Sequence, residues 1–541
     1  MKETTRREFL ATVVAMGAIA AVPQGIFAQD ALEARLAGDP MRPQFHLLPA
    51  KNWMNDPNGP IYFNGNYHMF FQYNPLAATW GDMCWNHAVS KDMLHWSHLP
   101  IALTPTLGSS DAYGCFSGSA IRVGKRVYVV YTGTKESTPE LATIRDGQNK
   151  IQESQCLAWS DDPHLVVWTK EPQPIVPRPP EGMRITGFRD PSVWKQGDWF
   201  YMTVGSGVAQ VGGCVLLYRS KDMKSWEYLH ELASGAWNGA KTSNPCDSGE
   251  MWECPEFFAL DGGHVLIYST MGKVFWQSGV LDEATMTFQG TRTGELDLGA
   301  FYAPKTQLDA QGGRILWGWI PERRSEAAMR EAGWSGMMSL PRELRLDPDG
   351  TLRIQVLSQI VASRAGSLPD QETRAGVLKT LPRASGEVLC MGVREREMQF
   401  TVSTGGAELL RVSYLPEKHA FLIEDKEIAL QPKDIPILHA FVDGSVIELI
   451  LGDRIGYTKR FYYEGTTAPD VTVLATGAAG VKMNGWKIAP ISKNRLTTPA
   501  RSLIKVPDTS ISVSLETLNR TKYDGCAVIE GFGHTIGLNT L

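Results

Sequence analysis

After roughly the first thirty positions, apolar residues stop recurring at helical spacing. They come instead in short β-branched and aromatic runs divided by Gly, Asp, Asn and Pro, a pattern that predicts strands and turns. Five runs look like the central strands of a repeated unit: Tyr67–Phe71, Val127–Tyr131, Trp199–Met202, Val265–Tyr268 and Ile315–Trp319. They return about every 50 to 70 residues, as a four-stranded unit with variable loops would. A second repeat runs alongside. Ser90-Lys91-Asp92-Met93-Leu94-His95-Trp96 reappears as Ser220-Lys221-Asp222-Met223-Lys224-Ser225-Trp226, with a degenerate copy from Ser160-Asp161-Asp162 to Trp168. Each copy predicts a tight turn into an outer strand, anchored by its Trp. The expectation is all-β: a five-bladed β-propeller over residues 40–340, with blades starting near 60, 120, 190, 255 and 305. Ligands bind a propeller where loops of successive blades converge on the axis. Near Leu340-Pro341-Arg342-Glu343-Leu344 the repeat stops, and alternating runs such as Ser445–Leu451 predict a β-sandwich over 351–541, including a tail after about Asp508.

The first 28 residues read as an address. Thr5-Arg6-Arg7-Glu8-Phe9-Leu10 is a twin-arginine pattern, followed by a short apolar run and a plausible cleavage after Ala28. The run is too short for a membrane span, so the expected location is periplasmic or secreted. The 541 residues carry a net charge of −5 with mixed signs, which predicts no nucleic-acid or membrane partner. None of the eight Cys forms a C-x-x-C pair, so no zinc site is predicted, no cofactor is expected and no disulfide is assigned.

Three acids stand at comparable places in the repeat, just before or at an inner strand. Asp56 lies in Trp53-Met54-Asn55-Asp56-Pro57-Asn58-Gly59, Asp190 in Phe188-Arg189-Asp190-Pro191, and Glu253 in Met251-Trp252-Glu253-Cys254-Pro255. Alone, each reads equally well as a turn acid. Together, on strands that line one axis, they suit glycoside hydrolysis, where one carboxylate attacks or activates water and another protonates the leaving oxygen. Proline one or two residues after each acid stiffens the backbone that aims it. A Glu among Trp252, Cys254 and Pro255 is expected to hold its proton, and Asp190 beside Arg189 to stay ionised.

The three motifs make the chain resemble glycoside hydrolase family 32, the β-fructofuranosidases, across roughly residues 40–500. The resemblance implies Asp56 as nucleophile, Asp190 as transition-state stabiliser and Glu253 as acid/base. It also implies retention, with Asp56 and Glu253 roughly 5–5.5 Å apart. Sugar contacts implied in the same way are Asn55, Gln72 in Phe70–Pro75, Trp80, Phe116-Ser117, Arg189, Tyr302 and Trp334. Their alternatives stay open: Gln72 as a ladder residue, Ser117 as a turn former, and Trp80, Phe116 and Trp334 as core. One departure stands out. Where the family often carries an acid before Phe-Tyr-Ala, this chain has Ala300; Arg323-Arg324 is a substitute source of polar contacts or a solvated pair. The implied activity is exo-hydrolysis of terminal β-D-fructofuranosyl units of sucrose, inulin or levan, since endo-acting relatives tend to carry Glu at the position of Asp56. A fructosyltransferase using the same intermediate, or a non-catalytic fructan-binding propeller, fits the same motifs.

Overall fold

The computed structural model describes residues 32–477 and 480–492, together with the backbone strands 518–520, 526–531 and 534–539. The expected signal segment, 1–28, lies outside the described residues. The chain is all-β. Units of four antiparallel strands follow one another, some of them extended by further strands. The first holds Asn52–Pro57, Asn66–Asn74, Cys84–Ser90 and Trp96–Leu103. The second holds Gly114–Val123, Arg126–Glu136, Ile151–Ser160 and Thr169–Lys170. The third is Ile185–Gln196, Trp199–Val208, Gly212–Ser220 and Glu227–Ser234. The fourth is Glu253–Leu260, Gly263–Thr270, Lys273–Asp282 and Thr287–Asp297. The fifth is Tyr302–Leu308, Arg314–Ile320, Arg342–Leu346 and Leu352–Val356. Every expected central run is the second strand of its sheet. The first strands of the second to fifth sheets pack on one another in sequence, that of the fifth packs on Asn52–Pro57, and Ile61–Phe63 closes between the fifth and second. The arrangement is propeller-like. Trp334–Ser335 pairs in parallel with Asn52 and Trp53, so chain from beyond the fifth sheet's second strand stitches back to the first.

The repeated heptapeptides are turns of one design. Asp92 Oδ1 accepts from the amides of Leu94 and His95, and Asp222 Oδ1 from those of Lys224 and Ser225. The indole N–H of Trp96, Trp226 and Trp168 donates to the carbonyl of Met93, Met223 and Leu165. Those three carbonyl residues have φ of 66°, 66° and 56°. A fourth turn of this kind escaped the sequence reading: Asp282 caps Ala284 and Thr285, Met286 has φ 58°, and Phe288 replaces the Trp.

The expected break between 340 and 351 falls inside the fifth sheet, which ends at Val356. Leu344, Leu352 and Ile354 share a core with Leu316 and Leu296, and that apolar burial carries the sheet past Leu340–Leu344, where the repeat stops in the sequence. Beyond it, Ile455–Arg460 runs parallel to Thr287–Asp297, so the fourth sheet continues into Val446–Leu451, Ile437–Asp443, Ser385–Met391 and Lys482–Ile488. A separate sheet of seven strands includes Gly376–Leu381, Val471–Gly477, Met398–Thr404 and Ala407–Leu415. One apolar cluster draws Val388, Leu438 and Leu449 from the first and Phe400, Val412 and Val473 from the second. Among the described residues the seven cysteines are buried and none is joined in a disulfide. No helix among the described residues is long and apolar enough to cross a membrane.

Candidate active site

Each first strand breaks register with its neighbour at an equivalent place: between Met54 and Pro57, Cys115 and Gly118, Arg189 and Ser192, Glu253 and Glu256, and Tyr302 and Lys305; the third sheet has a further break between Ile185 and Phe188. In the last three the second bulge residue is left-handed, with φ of 64° at Asp190, 50° at Cys254 and 50° at Ala303, and proline follows each. A left-handed non-glycine residue costs about 1–2 kcal/mol, and bulges re-aim side chains. Here three successive sheets carry the same distortion, and it stacks their side chains in layers. Arg189, Glu253 and Tyr302 form the layer that reaches solvent. Asp190 and Cys254 lie next, and Ser192, Glu256 and Lys305 beyond them.

The acids converge from three sheets. Asp56 accepts from Ser117 Oγ at 2.6 Å and Asn55 Nδ2 at 3.0 Å, while Asn55 Oδ1 accepts from Trp53 Nε1 at 2.7 Å. The Cys254 thiol lies 3.6 Å from Asp56 Oδ2 and 3.4 Å from Asp190 Oδ2. The Cys254 amide donates to Asp190 at 3.0 Å, and the Asp190 amide to Thr132 Oγ1. Glu253 accepts from Arg189 Nε at 2.9 Å and from the Tyr302 hydroxyl at 2.8 Å. Arg189 also reaches Glu153 Oε1 at 2.9 Å and Cys246 Sγ at 3.5 Å. The Glu253 side chain is 21% exposed, open enough to meet a ligand.

Burial raises the pKa of Asp56 and the charge of Glu253 adds to it; hydrogen bonds from Ser117 and Asn55 pull the other way. Burial, then the charge of Glu253, push Asp190 up to about 7 despite Arg189. Burial also pushes Glu253 up, but the Arg189 charge and the Tyr302 and Arg189 hydrogen bonds outweigh it and hold Glu253 below its ordinary value. This reverses the expected order. The reason is geometric: the Arg189 guanidinium turns to Glu253 rather than to its chain neighbour Asp190. Trp252 is also not beside Glu253. Its ring stacks on Tyr268 at 3.7 Å, in a slot formed by Gly213 and Gly235.

The remaining expected contacts divide. Trp80 is 61% exposed and meets Phe116 edge-on at 6.0 Å, forming an aromatic wall. Gln72 is buried and donates to the Cys115 carbonyl. It reaches Asp56 only through Asn58, whose amide, turned to suit its neighbours, accepts from Gln72 and Trp85 and donates to Ser117. Trp334 is a correction. It is fully buried, its N–H bonds Asp39, and Arg42, Arg324 and Arg460 stack on it, so no sugar face reaches it. Trp319, half-buried and edge-on to Trp53 at 5.8 Å, is the aromatic on the site's side. Arg324 is committed to Glu322 and the Trp334 carbonyl, and Arg323 is exposed. The Ala300 amide is bonded to Thr458, and nearby Asp297 turns to Arg342 rather than to the site. Glu153 was missed: an acid in the polar stretch Gln152-Glu153-Ser154-Gln155 of a fully strand-like segment was the available signal. A cavity of about 730 Å³ lies at the other ends of the same inner strands, lined by Ile61, Arg122, Gln196, Phe258 and Leu308, and does not include the acids.

Comparison with known proteins agrees with this geometry. The family description "Glycosyl hydrolases family 32 N-terminal domain" matches residues 46–356. The chain is 35% identical to a raffinose invertase of Escherichia coli over 85% of its own length and 97% of the relative's. It is 31% identical to a sucrose-6-phosphate hydrolase of Bacillus subtilis over 83% and 95%. A solved β-fructofuranosidase of Bombyx mori superposes with a TM-score of 0.71 at 27% identity, over 86% of this chain and 97% of that one. Fructan 1-exohydrolase IIa of Cichorium intybus gives 0.65 at 27% identity, over 83% and 98%.

Proposed function

The chain belongs to glycosyl hydrolase family 32 and is a glycoside hydrolase, a β-fructofuranosidase, and from that premise we propose a retaining, exo-acting enzyme that releases terminal β-D-fructofuranosyl units from sucrose, inulin or levan. The observation that carries the reading is the meeting of Asp56, Asp190 and Glu253 around Cys254 at one end of the inner strands. Asp56, held by Ser117 and Asn55, attacks as the carboxylate at the anomeric carbon and forms a fructosyl ester. Glu253 gives its proton to the departing oxygen, then takes one from the water that cleaves the ester. Asp190 accepts hydrogen bonds from fructose hydroxyls, with Arg189 positioning Glu253 between them.

The charge of Glu253 makes Asp190 harder to ionise, and the productive form carries the proton on Glu253 with Asp190 ionised. Once Asp56 is esterified its charge is gone, both neighbours ionise more readily, and Glu253 is ready as the base. The exposed Trp80–Phe116 corner offers an apolar face to a sugar ring.

On the same reading, the first strands form the axis of a five-bladed β-propeller ending at Val356, braced by a C-terminal β-sandwich, and the twin-arginine segment 1–28 directs export to the periplasm or beyond. The test is Glu253→Ala on sucrose and on an aryl fructoside with a good leaving group. The acid role requires sucrose turnover to fall far more than aryl fructoside turnover. Equal losses refute it. Product analysis at high sucrose, yielding free fructose rather than longer oligosaccharides, separates hydrolysis from transfer.

A further inference from the structure

The layer behind the acids contains a cation the chemistry above leaves unused. Lys305 occupies in the fifth sheet the bulge position that Glu256 holds in the fourth and Ser192 in the third. It is 1% exposed, and its ammonium donates to Glu256 Oε1 at 3.1 Å and to the Pro255 carbonyl at 3.4 Å. Glu256 does not depend on it for hydrogen bonds. Ser192 Oγ reaches Oε1 at 2.7 Å, and the Thr306 amide and hydroxyl reach Oε2 at 3.0 and 2.9 Å. A buried ammonium placed where hydroxyls already serve the carboxylate acts through its charge.

We propose that Lys305 is a positioning residue for the hydrolysis: fixed by Glu256 on the side of the acids away from solvent, its positive charge allows Asp56, Asp190 and Glu253 to stand together, and the Ser192–Glu256–Lys305 layer closes the axis behind them.

Among the described residues, the charged and titratable groups that face this layer are few. Glu256 and the Cys254 thiol come from the fourth sheet, Asp190 with Arg189 from the third, and Arg314 from the strand beside Lys305. Arg314 donates to Thr306 Oγ1 and lies over Phe258, turned toward the far cavity. Arg189 is shared between Glu153 and Glu253. Lys305 is thus the cation left to oppose Asp190 from behind. Burial alone would strip its proton, but Glu256 and then Asp190 keep it charged. Its charge in turn draws Asp190 downward against burial and Glu253. The cavity of about 730 Å³ ends on Ser192, Glu256 and Lys305, so this layer is also the partition between it and the acids.

The proposal rests on the fructosidase reading, and the experiment separates the two. The full chain is assayed for fructose release from sucrose, with kcat/KM measured against pH for wild type, Lys305→Met, Lys305→Arg and the exchange Ser192→Lys with Lys305→Ser. Removing a cation makes the acids harder to ionise. The acid limb, which needs ionised carboxylates, and the alkaline limb, which needs a proton on Glu253, therefore both move up. The expected displacement in Lys305→Met is about one pH unit, a loss of about tenfold on the acid limb. Lys305→Arg keeps the wild-type profile. The exchange, which returns the charge to the same layer from the third sheet, restores it. An unmoved Lys305→Met profile, or a uniform loss at every pH that the exchange does not repair, overturns the proposal. If Lys305→Met does not fold, Glu256→Gln carries the test: it unmasks the cation, so the profile moves down, and an unmoved profile overturns the proposal. A wild-type chain that releases no fructose refutes instead the function on which it rests.

Discussion

At the seam between the propeller-like sheets and the C-terminal strands lies a second set of buried charges, and it is built on the opposite plan from the acids. Asp443 accepts from the amides of Gln44, Phe45 and His46 and from His46 Nδ1. Glu448 accepts from His46 Nε2, the Leu340 amide and Arg342 Nη2, all within 2.8 Å. Asp297 is held by Arg342 Nη1, the Gly299 amide, and the amide and hydroxyl of Thr458. Each charge there has an opposite partner, so the shifts deepen ionisation. His46 rises to about 9, where its two carboxylates outweigh burial, and Glu448 falls to about 2, where Arg342 and His46 outweigh it. At the site, like charges share too few cations, and Asp190 rises to about 7. Matched charge locks three segments together. Unmatched charge is kept in a state that a substrate can change.

The largest expected effect tests that division at the site. Asp56→Asn should lower kcat by about 10⁴-fold or more while leaving the melting temperature equal or higher, because one of several crowded carboxylates is gone. A clear drop in melting temperature would break the contrast. Asp190→Asn sharpens it through pH. The ionised form of a carboxyl with a raised folded pKa opposes folding, and that penalty grows as pH climbs from 3.8 to about 7. The variant should therefore gain stability over wild type at pH 8 and not at pH 4, read by urea melts.

Arg342→Met is the mirror experiment. It strands Asp297 without a cation, leaves Glu448 only His46, and should cost about 3–5 kcal/mol in a urea melt, with kcat of the folded enzyme unchanged. A large loss of kcat at unaltered stability would show the seam to be part of the site.

Next is the alkaline behaviour of the seam. The His46 contribution is whole below pH 6.5 and is lost as pH rises through about 9, about 3 kcal/mol in all. The Glu448 contribution is whole above pH 4.5 and lost as pH falls toward 2. It overlaps with that of His46, because they are one pair. Wild type should weaken steadily between pH 6.5 and 9, and His46→Gln should flatten that slope. An unchanged slope would place the loss elsewhere.

The smallest effect is at the rim. Trp80→Ala should raise KM for sucrose by roughly fivefold, about 1 kcal/mol of ring stacking, without moving the melting temperature. Trp334→Ala should do the reverse, since its indole is packed and bonded inside.

Much of this was legible in the chain itself. The five central runs, the Ser-x-Asp turns and their Trp anchors are local, set by side-chain alternation and by an Asp that caps the amides following it, so they could be read residue by residue. The acids were found because a bulge leaves a trace in the sequence: an acid with a proline just after it. Less legible were matters of direction. Trp80 and Trp334 both precede or follow glycine in similar surroundings, yet one is at the rim and the other lies under three guanidinium groups. The end of the fifth sheet was placed too early because its last two strands, Arg342–Leu346 and Leu352–Val356, follow an insertion and do not continue the visible repeat.

The sequence by itself determined an all-β chain with repeated sheets, the family, and which three acids to examine, because alternation, turn chemistry and short motifs are properties of neighbours in the chain. Only the tertiary structure decided which acid Arg189 faces, that Glu153 and Lys305 belong to the same electrostatic unit, and that Trp334 is core. Those depend on fields and packing among residues 36 to 295 positions apart, and such distances close only when successive sheets bring equivalent bulges around one axis.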